Sequence, residues 1–103
     1  MIRHIVALKF NPDTTESTKR SIFADLAALT PLIDGILDFQ MRENVSPEDP
    51  VVHGFRDLFW FDFRDAKVRD AYLVHPQHQA VGARIVSATE GGPEGVLVLD
   101  FEV

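Results

Sequence analysis

The stretch FRDLFWFDF, residues 55–63, decides the fold of this chain. It alternates with the two-residue period of a β-strand, and it is the most apolar of the segments that predict strands. One face carries Asp57 and four phenylalanines, whereas the other carries Leu58 and Trp60 between polar neighbours. Because neither face is polar throughout, the stretch predicts a strand that is packed on both sides.

Three other segments predict strands, and two predict helices, from the spacing of their apolar residues. The predicted strands are residues 2–10, 36–45, 55–63 and 96–103, and the predicted helices run from about Thr14 to Leu29 and from about Asp65 past Ile85. Right-handed crossovers place both helices on the same face of the sheet. The order therefore predicts an α+β, ferredoxin-like βαββαβ fold with a four-stranded antiparallel sheet.

Local signals set the expected ends of the two helices. Asp13 and Glu16 have the spacing of a capping box, which predicts the start of the first helix. Pro31 ends that helix, because the residue before a proline avoids helical angles. Pro76 is expected to kink or break the second helix.

The sheet face without helices is expected to be unusually apolar. Ile5 and Ala7 on the first strand, and Leu58 and Trp60 on the third, lie on the side away from the phenylalanine row. At about 25 cal/mol per Å² of apolar surface, leaving such a face in water is unfavourable. The sequence therefore predicts a homodimer, a dimeric α+β barrel, in which this face covers the same face of a second copy. The alternative is a solvated sheet with poor polar alternation.

Length, charge and cysteine content exclude several classes of protein. The 103 residues suit a single domain, residues 1–103, and the net charge of −6 without a Lys/Arg cluster argues against nucleic acid as a partner. The absence of cysteine excludes disulfides and thiolate metal sites. The start, MIRHIVALKF, lacks the features of a signal peptide, and no run approaches the roughly 18 apolar residues of a membrane span. We expect a cytoplasmic protein with no membrane partner.

Two of the four histidines, His75 and His78, are three residues apart. Histidines with this spacing can hold a metal ion, but Pro76 disturbs the helix between them and no further ligand motif supports the site. The sequence therefore predicts no metal. The simpler interpretation of His75 is a cap at the end of a helix, where a partly positive ring suits the helix dipole.

Four polar side chains, His4, Asp57, Tyr72 and His78, are predicted to face the space between sheet and helices. Since such groups need partners or a pocket when buried, their convergence predicts a cavity for a small molecule. A histidine and a tyrosine in it could act as general acid and base on a carbonyl compound. The alternative for His4 is a core histidine that neighbouring groups satisfy. The other candidate ligand-binding residues are Phe39, Phe59, Phe61, Val81 and His75.

Four motifs together resemble the stress-responsive A/B barrel family, also called the Dabb domain. They are MIRHIVALKF at 1–10, VHGF at 52–55, AYLVHPQH at 71–78 and VLDF at 98–101. The resemblance covers nearly the whole chain and implies a dimeric α+β barrel. Members of this family include plant stress-induced proteins, small polyketide cyclases that work without a cofactor, and bacterial proteins of unsettled function. More distantly related barrels serve as cofactor-free monooxygenases.

The resemblance also implies roles for particular residues. The pocket residues of the plant cyclase that this chain resembles correspond to His4, Tyr72 and His78, and the last two are its acid/base pair. A further pocket histidine of that enzyme is replaced by Asp57, which departs from the cyclase pattern.

Two functions are therefore predicted as alternatives, both without a cofactor. One is a non-catalytic, stress-responsive barrel that binds a small apolar or aromatic ligand. The other is a cofactor-independent cyclase, lyase or monooxygenase that uses His78 and Tyr72.

Overall fold

The computed structural model describes every residue from Met1 to Val103. The strands are β1 (Ile2–Leu8), β2 (Ile36–Glu43), β3 (Asp57–Phe63) and β4 (Val96–Glu102). The helices are α1 (Glu16–Ala27), α2 (Asp49–Val52), α3 (Ala66–Val74) and α4 (Pro76–Ala88), and 3₁₀ turns cover Thr30–Leu32 and Gly92–Gly95. The predicted βαββαβ plan is confirmed, with the second helical segment divided into α3 and α4 and a short α2 added in a loop.

The four strands form one antiparallel sheet in the order β2-β3-β1-β4. The central strands are β1 and β3, so Ile5 of β1 lies opposite Trp60 of β3 on one side and Leu99 of β4 on the other. This order is that of a ferredoxin-like sheet, and it leaves β2 and β4 as the edges.

The start of α1 differs from the prediction. Its N-cap is Thr15, whose side-chain oxygen accepts a hydrogen bond from the backbone N–H of Thr18 at 3.1 Å. The prediction of an Asp13 cap is wrong because Asp13 lies in a turn that the Thr14 N–H closes by donating to the Asn11 carbonyl. The Thr14 hydroxyl also donates to the carbonyl of Ala88 at 3.0 Å, which fixes this turn against the end of α4.

The predicted break at Pro76 is confirmed and separates two helices. His75 has φ −67° and ψ 130°, an extended conformation, because the proline that follows it disfavours helical angles. Pro76 then becomes the first residue of α4, where its missing N–H has no helical partner to lose. The break lets α3 and α4 contribute side chains from different directions to the same space.

The core lies between the sheet and the helices, on one face only. Phe59, Phe61 and Phe63 of β3 are almost completely buried there. At roughly 1.5–3 kcal/mol for each fully buried large side chain, this row is a main source of stability. The helices and their connections cover it with Ile22, Phe23, Leu26, Leu29, Ile33, Val68, Tyr72, Val81 and Ile85.

The opposite face carries an apolar half and a polar half. On β4, Leu97, Leu99 and Phe101 are 46%, 54% and 47% exposed, and they continue the apolar surface of the central strands. Polar side chains, among them Arg42, occupy the β2 side. No helix covers this face, which we call the helix-free face.

Trp60 lies between two arginines on the helix-free face. The guanidinium carbons of Arg3 and Arg42 are 5.8 Å and 5.4 Å from the centre of its ring, within cation–π range. Arg3 also donates two hydrogen bonds to the buried carboxylate of Asp62, at 2.8 Å and 3.0 Å. The indole Nε1 of Trp60 is buried without a hydrogen-bond partner.

None of the helices in this fold has the length and hydropathy that crossing a bilayer requires.

Candidate functional site

A cavity of about 340 Å³ opens between β1 and β4 on one side and α3 and α4 on the other. Its size lies within the range of small-molecule sites. Three polar side chains, those of His4, Tyr72 and His78, line it. The rest of its wall is Val6, Phe59, Leu73, Gly82, Ile85, Val86, Pro93, Val96 and Val98. The cavity is therefore apolar with a few polar groups.

The break at Pro76 brings Tyr72 and His78 together. Tyr72 lies in the last turn of α3 and His78 in the first turn of α4, and their ring centroids are 4.0 Å apart. His4 on β1 joins them, with its ring centroid 5.5 Å from that of Tyr72. The structure thus places these three predicted residues side by side.

His4 is held in one orientation by a carboxylate. Its Nδ1 is 2.6 Å from Oδ1 of Asp100, the residue opposite it on β4. Because an ionised carboxylate only accepts hydrogen bonds, Nδ1 carries a proton and donates it. The other carboxylate oxygen accepts a hydrogen bond from Arg69 at 3.0 Å. Nε2 of His4 has no partner in the protein and remains for the cavity.

Tyr72 is buried within an aromatic cluster and keeps its proton. Its ring centroid is 5.0 Å from those of both Phe61 and Phe63, and the residue is 1% exposed. Burial, with a smaller contribution from the negative charge of Asp100, raises the pKa of the Tyr72 hydroxyl above its usual range. The hydroxyl has no hydrogen-bond partner in the protein and is not among the fully buried polar atoms. It therefore offers its proton to the cavity.

His78 is held in its neutral form. Burial lowers the pKa of His78, the neighbouring His4 and His75 lower it further, and a hydrogen bond to the Leu73 carbonyl opposes these effects. That bond is long, with 3.4 Å between His78 Nδ1 and the Leu73 oxygen. Since a carbonyl only accepts, Nδ1 carries the proton and Nε2 keeps a lone pair. His78 can therefore accept a proton while Tyr72 donates one.

Gly82 is a feature of the wall that sequence reasoning did not single out. It lies inside α4, where glycine costs about 0.5–1 kcal/mol relative to alanine. A Cβ built on it would meet no atom within 4 Å. The glycine is not required by close packing, and its missing side chain leaves the cavity wider.

The predicted aromatic and aliphatic lining is only partly in the wall. Phe59 lines the cavity, whereas Phe61 lies behind Tyr72 in the closed core. Phe39 packs on Phe61 with centroids 4.8 Å apart, and Val81 is buried among the core residues of α4. The structure therefore places Phe39, Phe61 and Val81 in support of the wall.

Asp57 and His75 lie outside the cavity. Asp57 is opposite Leu8, at the far end of β1 from His4, and its carboxylate is 3.6 Å from the ammonium of Lys19 on α1. His75 is the N-cap of α4, where its Nδ1 accepts a hydrogen bond from the Gln77 N–H at 3.1 Å. The expectation of a partly positive ring at the end of a helix is therefore wrong, because the ring caps the start of α4 by accepting a hydrogen bond. Neither side chain lines the cavity with Tyr72 and His78.

Asp100 and Arg69 are polar residues behind the cavity wall that sequence reasoning missed. The available signal was that Asp100 interrupts an apolar strand in phase with Val96 and Val98. A carboxylate on an apolar strand face needs a hydrogen-bond partner, and so does a histidine in the same position. Asp100 and His4 could therefore have been paired with each other from the sequence. Neither here nor elsewhere in the chain do three His, Asp or Glu side chains converge as metal ligands.

Comparison with known proteins agrees with this fold. Residues 2–103 match the family model described as Stress responsive A/B Barrel Domain. Olivetolic acid cyclase of Cannabis sativa is 24% identical over 81 residues, which are 79% of each chain. A dimeric ferredoxin-like protein of unknown function from Jannaschia sp. CCS1 is 30% identical, with a TM-score of 0.90 over 99% of this chain and 98% of the other. Hydroxynitrile lyase from Passiflora edulis is 16% identical, with a TM-score of 0.84 over 99% and 92%, which is a likeness of fold alone.

Proposed function

Because this chain belongs to the stress responsive A/B barrel domain family, we propose that it is a small dimeric barrel protein that binds an apolar or aromatic molecule. The observation that carries the proposal is the cavity of about 340 Å³, which is mainly apolar and has Tyr72, His78 and His4 at one place in its wall. Such a site buries the body of a ligand and fixes its orientation through a few hydrogen bonds.

Gly82 supports a ligand-binding role for the cavity. An alanine at this position would favour the helix and would meet no neighbouring atom. The chain nevertheless carries a glycine where the wall borders open space. A glycine that lowers helix stability but leaves space in a cavity is expected where the cavity binds a molecule.

A second candidate function is a cofactor-independent enzyme, and the Tyr72–His78 contact favours it. The two side chains differ in protonation: the tyrosine holds its proton and the histidine has a free lone pair. A carbonyl compound bound between them would meet a general acid and a general base. The likeness to olivetolic acid cyclase, at 24% identity over 79% of each chain, supports this candidate.

The helix-free face is proposed as the dimer interface, with Leu58 and Trp60 near its centre. The exposed side chains of Leu97, Leu99 and Phe101 extend its apolar surface, and no element of the chain covers them. The relative from Jannaschia is described as dimeric. Association of two such faces would bury these side chains and is favourable at about 25 cal/mol per Å².

A titration of the cavity tests the proposed function. The probe is naphthalene, an aromatic molecule small enough for the cavity, and binding is followed by the chemical shifts of the methyl groups of Val86 and Val98. We expect naphthalene to change these chemical shifts in wild type. We expect no change in Gly82→Phe, because its ring would enter the cavity and exclude the probe. Gly82→Ala is the control for a change at the same position. Equal shifts in wild type and Gly82→Phe would contradict binding in this cavity.

His78 is tested in the same titration. His78→Ala is expected to change binding or stability, because it removes a wall residue that packs on Tyr72. Equal binding and equal stability in the two proteins would exclude any role for His78. For the enzyme candidate, the readout is turnover of a carbonyl substrate that both His78→Ala and Tyr72→Phe abolish.

A further inference from the structure

The polar part of the cavity offers a defined set of hydrogen-bonding atoms. The Tyr72 hydroxyl is a donor. Nε2 of His78 is an acceptor, because Nδ1 of that ring carries the proton that is donated to the Leu73 carbonyl. Nε2 of His4 is an acceptor whenever that ring is neutral, because its proton is donated to Asp100. A ligand group that both accepts and donates would therefore be matched.

The same place holds no free positive charge for an anion. Arg69 is the nearest cation on α3, and it is bound at 2.9 Å to Asp70 and at 3.0 Å to Asp100. Asp100, behind His4, brings a negative charge toward the cavity from β4. The wall contributed by α4 and by the turn before β4 is apolar apart from His78. An anionic head group would lose its hydration and gain no partner of opposite charge.

We propose that the cavity selects an uncharged ligand that carries a hydroxyl group, and rejects the carboxylate of the same shape. The ligand hydroxyl donates to Nε2 of His78 and accepts from the Tyr72 hydroxyl, while the apolar body lies against Phe59 and Val98. This inference rests on the proposed ligand-binding function. It adds the chemical class of the group that the site recognises.

Three probes with one aromatic body separate the possibilities: naphthalene, 2-naphthol and 2-naphthoate. At pH 7.5 the phenol is uncharged and the carboxylate is ionised. Dissociation constants are measured for the full-length protein by titration calorimetry, with chemical shifts of the cavity valines to locate the site. We expect 2-naphthol to bind at least tenfold more tightly than 2-naphthoate, and several-fold more tightly than naphthalene.

The variant Tyr72→Phe tests the hydrogen bond without removing the ring. It is expected to reduce the preference for 2-naphthol over naphthalene to near unity, while naphthalene binds as in wild type. Thermal unfolding of the variant verifies that it is folded. Asp57→Asn, which lies outside the cavity and at the far end of β1 from His4, is the control and is expected to keep the preference for 2-naphthol.

The failure of this inference is distinguishable from the failure of the proposed function. If 2-naphthoate binds as tightly as 2-naphthol, selection for an uncharged hydroxyl is wrong and ligand binding stands. If naphthalene and 2-naphthol bind equally, the hydrogen-bonded recognition is wrong and an apolar cavity stands. If none of the three probes moves the cavity valines, both the inference and the proposed function are wrong.

Discussion

The rings of Tyr72 and His78 lie 4.0 Å apart with their planes tilted by 37°, although the two residues belong to different helices. A continuous helix would place residues six apart on different sides of its axis, since one turn takes 3.6 residues. Pro76 ends the first helix and starts the second, which makes the contact possible. The site therefore depends on a backbone break as much as on the side chains themselves.

Gly82→Ala is expected to stabilise the protein. The new methyl group meets no atom within 4 Å, and alanine is favoured over glycine inside a helix, so the free energy of unfolding should rise by about 0.5–1 kcal/mol. Urea unfolding measures the change. Alanine at Gly35, where φ is +98° and a Cβ would lie 2.4 Å from Val68, is the contrasting control and should destabilise. Destabilisation by Gly82→Ala would mean that the open space beside it is not present.

His78 is expected to make stability depend on pH in the acidic range. Burial, together with His4 and His75 nearby, lowers the pKa of His78 in the folded state, so the unfolded chain binds the proton more readily. The contribution of neutral His78 to the free energy of unfolding is therefore complete above the unfolded pKa of about 6.5. It is lost as the pH falls through the pKa of His78 in the folded state. Unfolding measured from pH 5 to pH 8 should show a weaker dependence in His78→Gln.

The control for that experiment is the exposed His53. His53 has φ 56° in a turn, a conformation that asparagine tolerates, so His53→Asn is the suitable change. It should leave the pH dependence of wild type in place. A proton NMR titration of His78 offers a direct check, and a pKa at or above the ordinary value would contradict the description of its surroundings.

Asp100→Asn is expected to destabilise the protein, because Asp100 holds His4 at the polar end of the cavity. The change removes the charge from two hydrogen bonds, one from His4 and one from Arg69, and the free energy of unfolding should fall by about 1 kcal/mol. Urea unfolding again measures the effect. Glu102→Gln is the matched control, because Glu102 is two residues further along β4 and forms no ion pair. Equal stability of the two variants would exclude an orienting role for Asp100.

Asp57→Asn is expected to leave ligand binding unchanged. The sequence predicts Asp57 as a ligand-binding residue, yet its carboxylate pairs with Lys19 at the other end of the sheet from His4. Titration of Asp57→Asn with naphthalene should therefore give the dissociation constant of wild type. A severalfold loss of affinity would place Asp57 in the site after all.

Leu99→Arg is expected to separate the proposed dimer. Leu99 is 54% exposed on the helix-free face, so the charge should leave the fold intact while opposing the burial of that face. Sedimentation should give a monomer mass near 11.6 kDa for the variant and twice this mass for wild type. Val45→Arg, at a loop position that is 86% exposed, is the control and should remain dimeric. A wild-type mass near 11.6 kDa at micromolar concentration would refute the dimer.

The faces of the sheet were predictable because side-chain alternation is a local property, and the ferredoxin-like order followed from the handedness of the connections. Ile5 and Trp60 lie on the same side, opposite each other, as their positions in the two strands required. The helix-breaking effect of Pro76 was equally local, since it follows from the proline ring itself. The position of the α1 cap at Thr15 instead of Asp13 was not predictable locally, because Thr14 is hydrogen-bonded to the end of α4.

The composition of the site was predictable only in part, because it depends on how the strands are paired. His4 and Asp57 lie on adjacent strands and both face the helices, which is why the sequence groups them. The observed register puts His4 opposite Phe61, and Asp57 four positions away. The carboxylate that His4 contacts comes instead from β4, the last strand of the chain. A search for partners of one buried polar group across all neighbouring strands would have found it.

The chain contains one tryptophan and one tyrosine, and the fold puts them on opposite sides of the sheet. Trp60 lies between two guanidinium groups on the helix-free face, and Tyr72 borders the cavity. The two side chains can therefore report on different surfaces. Indole fluorescence, excited at wavelengths too long for the phenol to absorb, responds to changes at the helix-free face, and the NMR shifts of the single tyrosine ring respond to changes in the cavity. The proposed self-association and the proposed ligand binding can thus be followed separately in one protein that carries no added label.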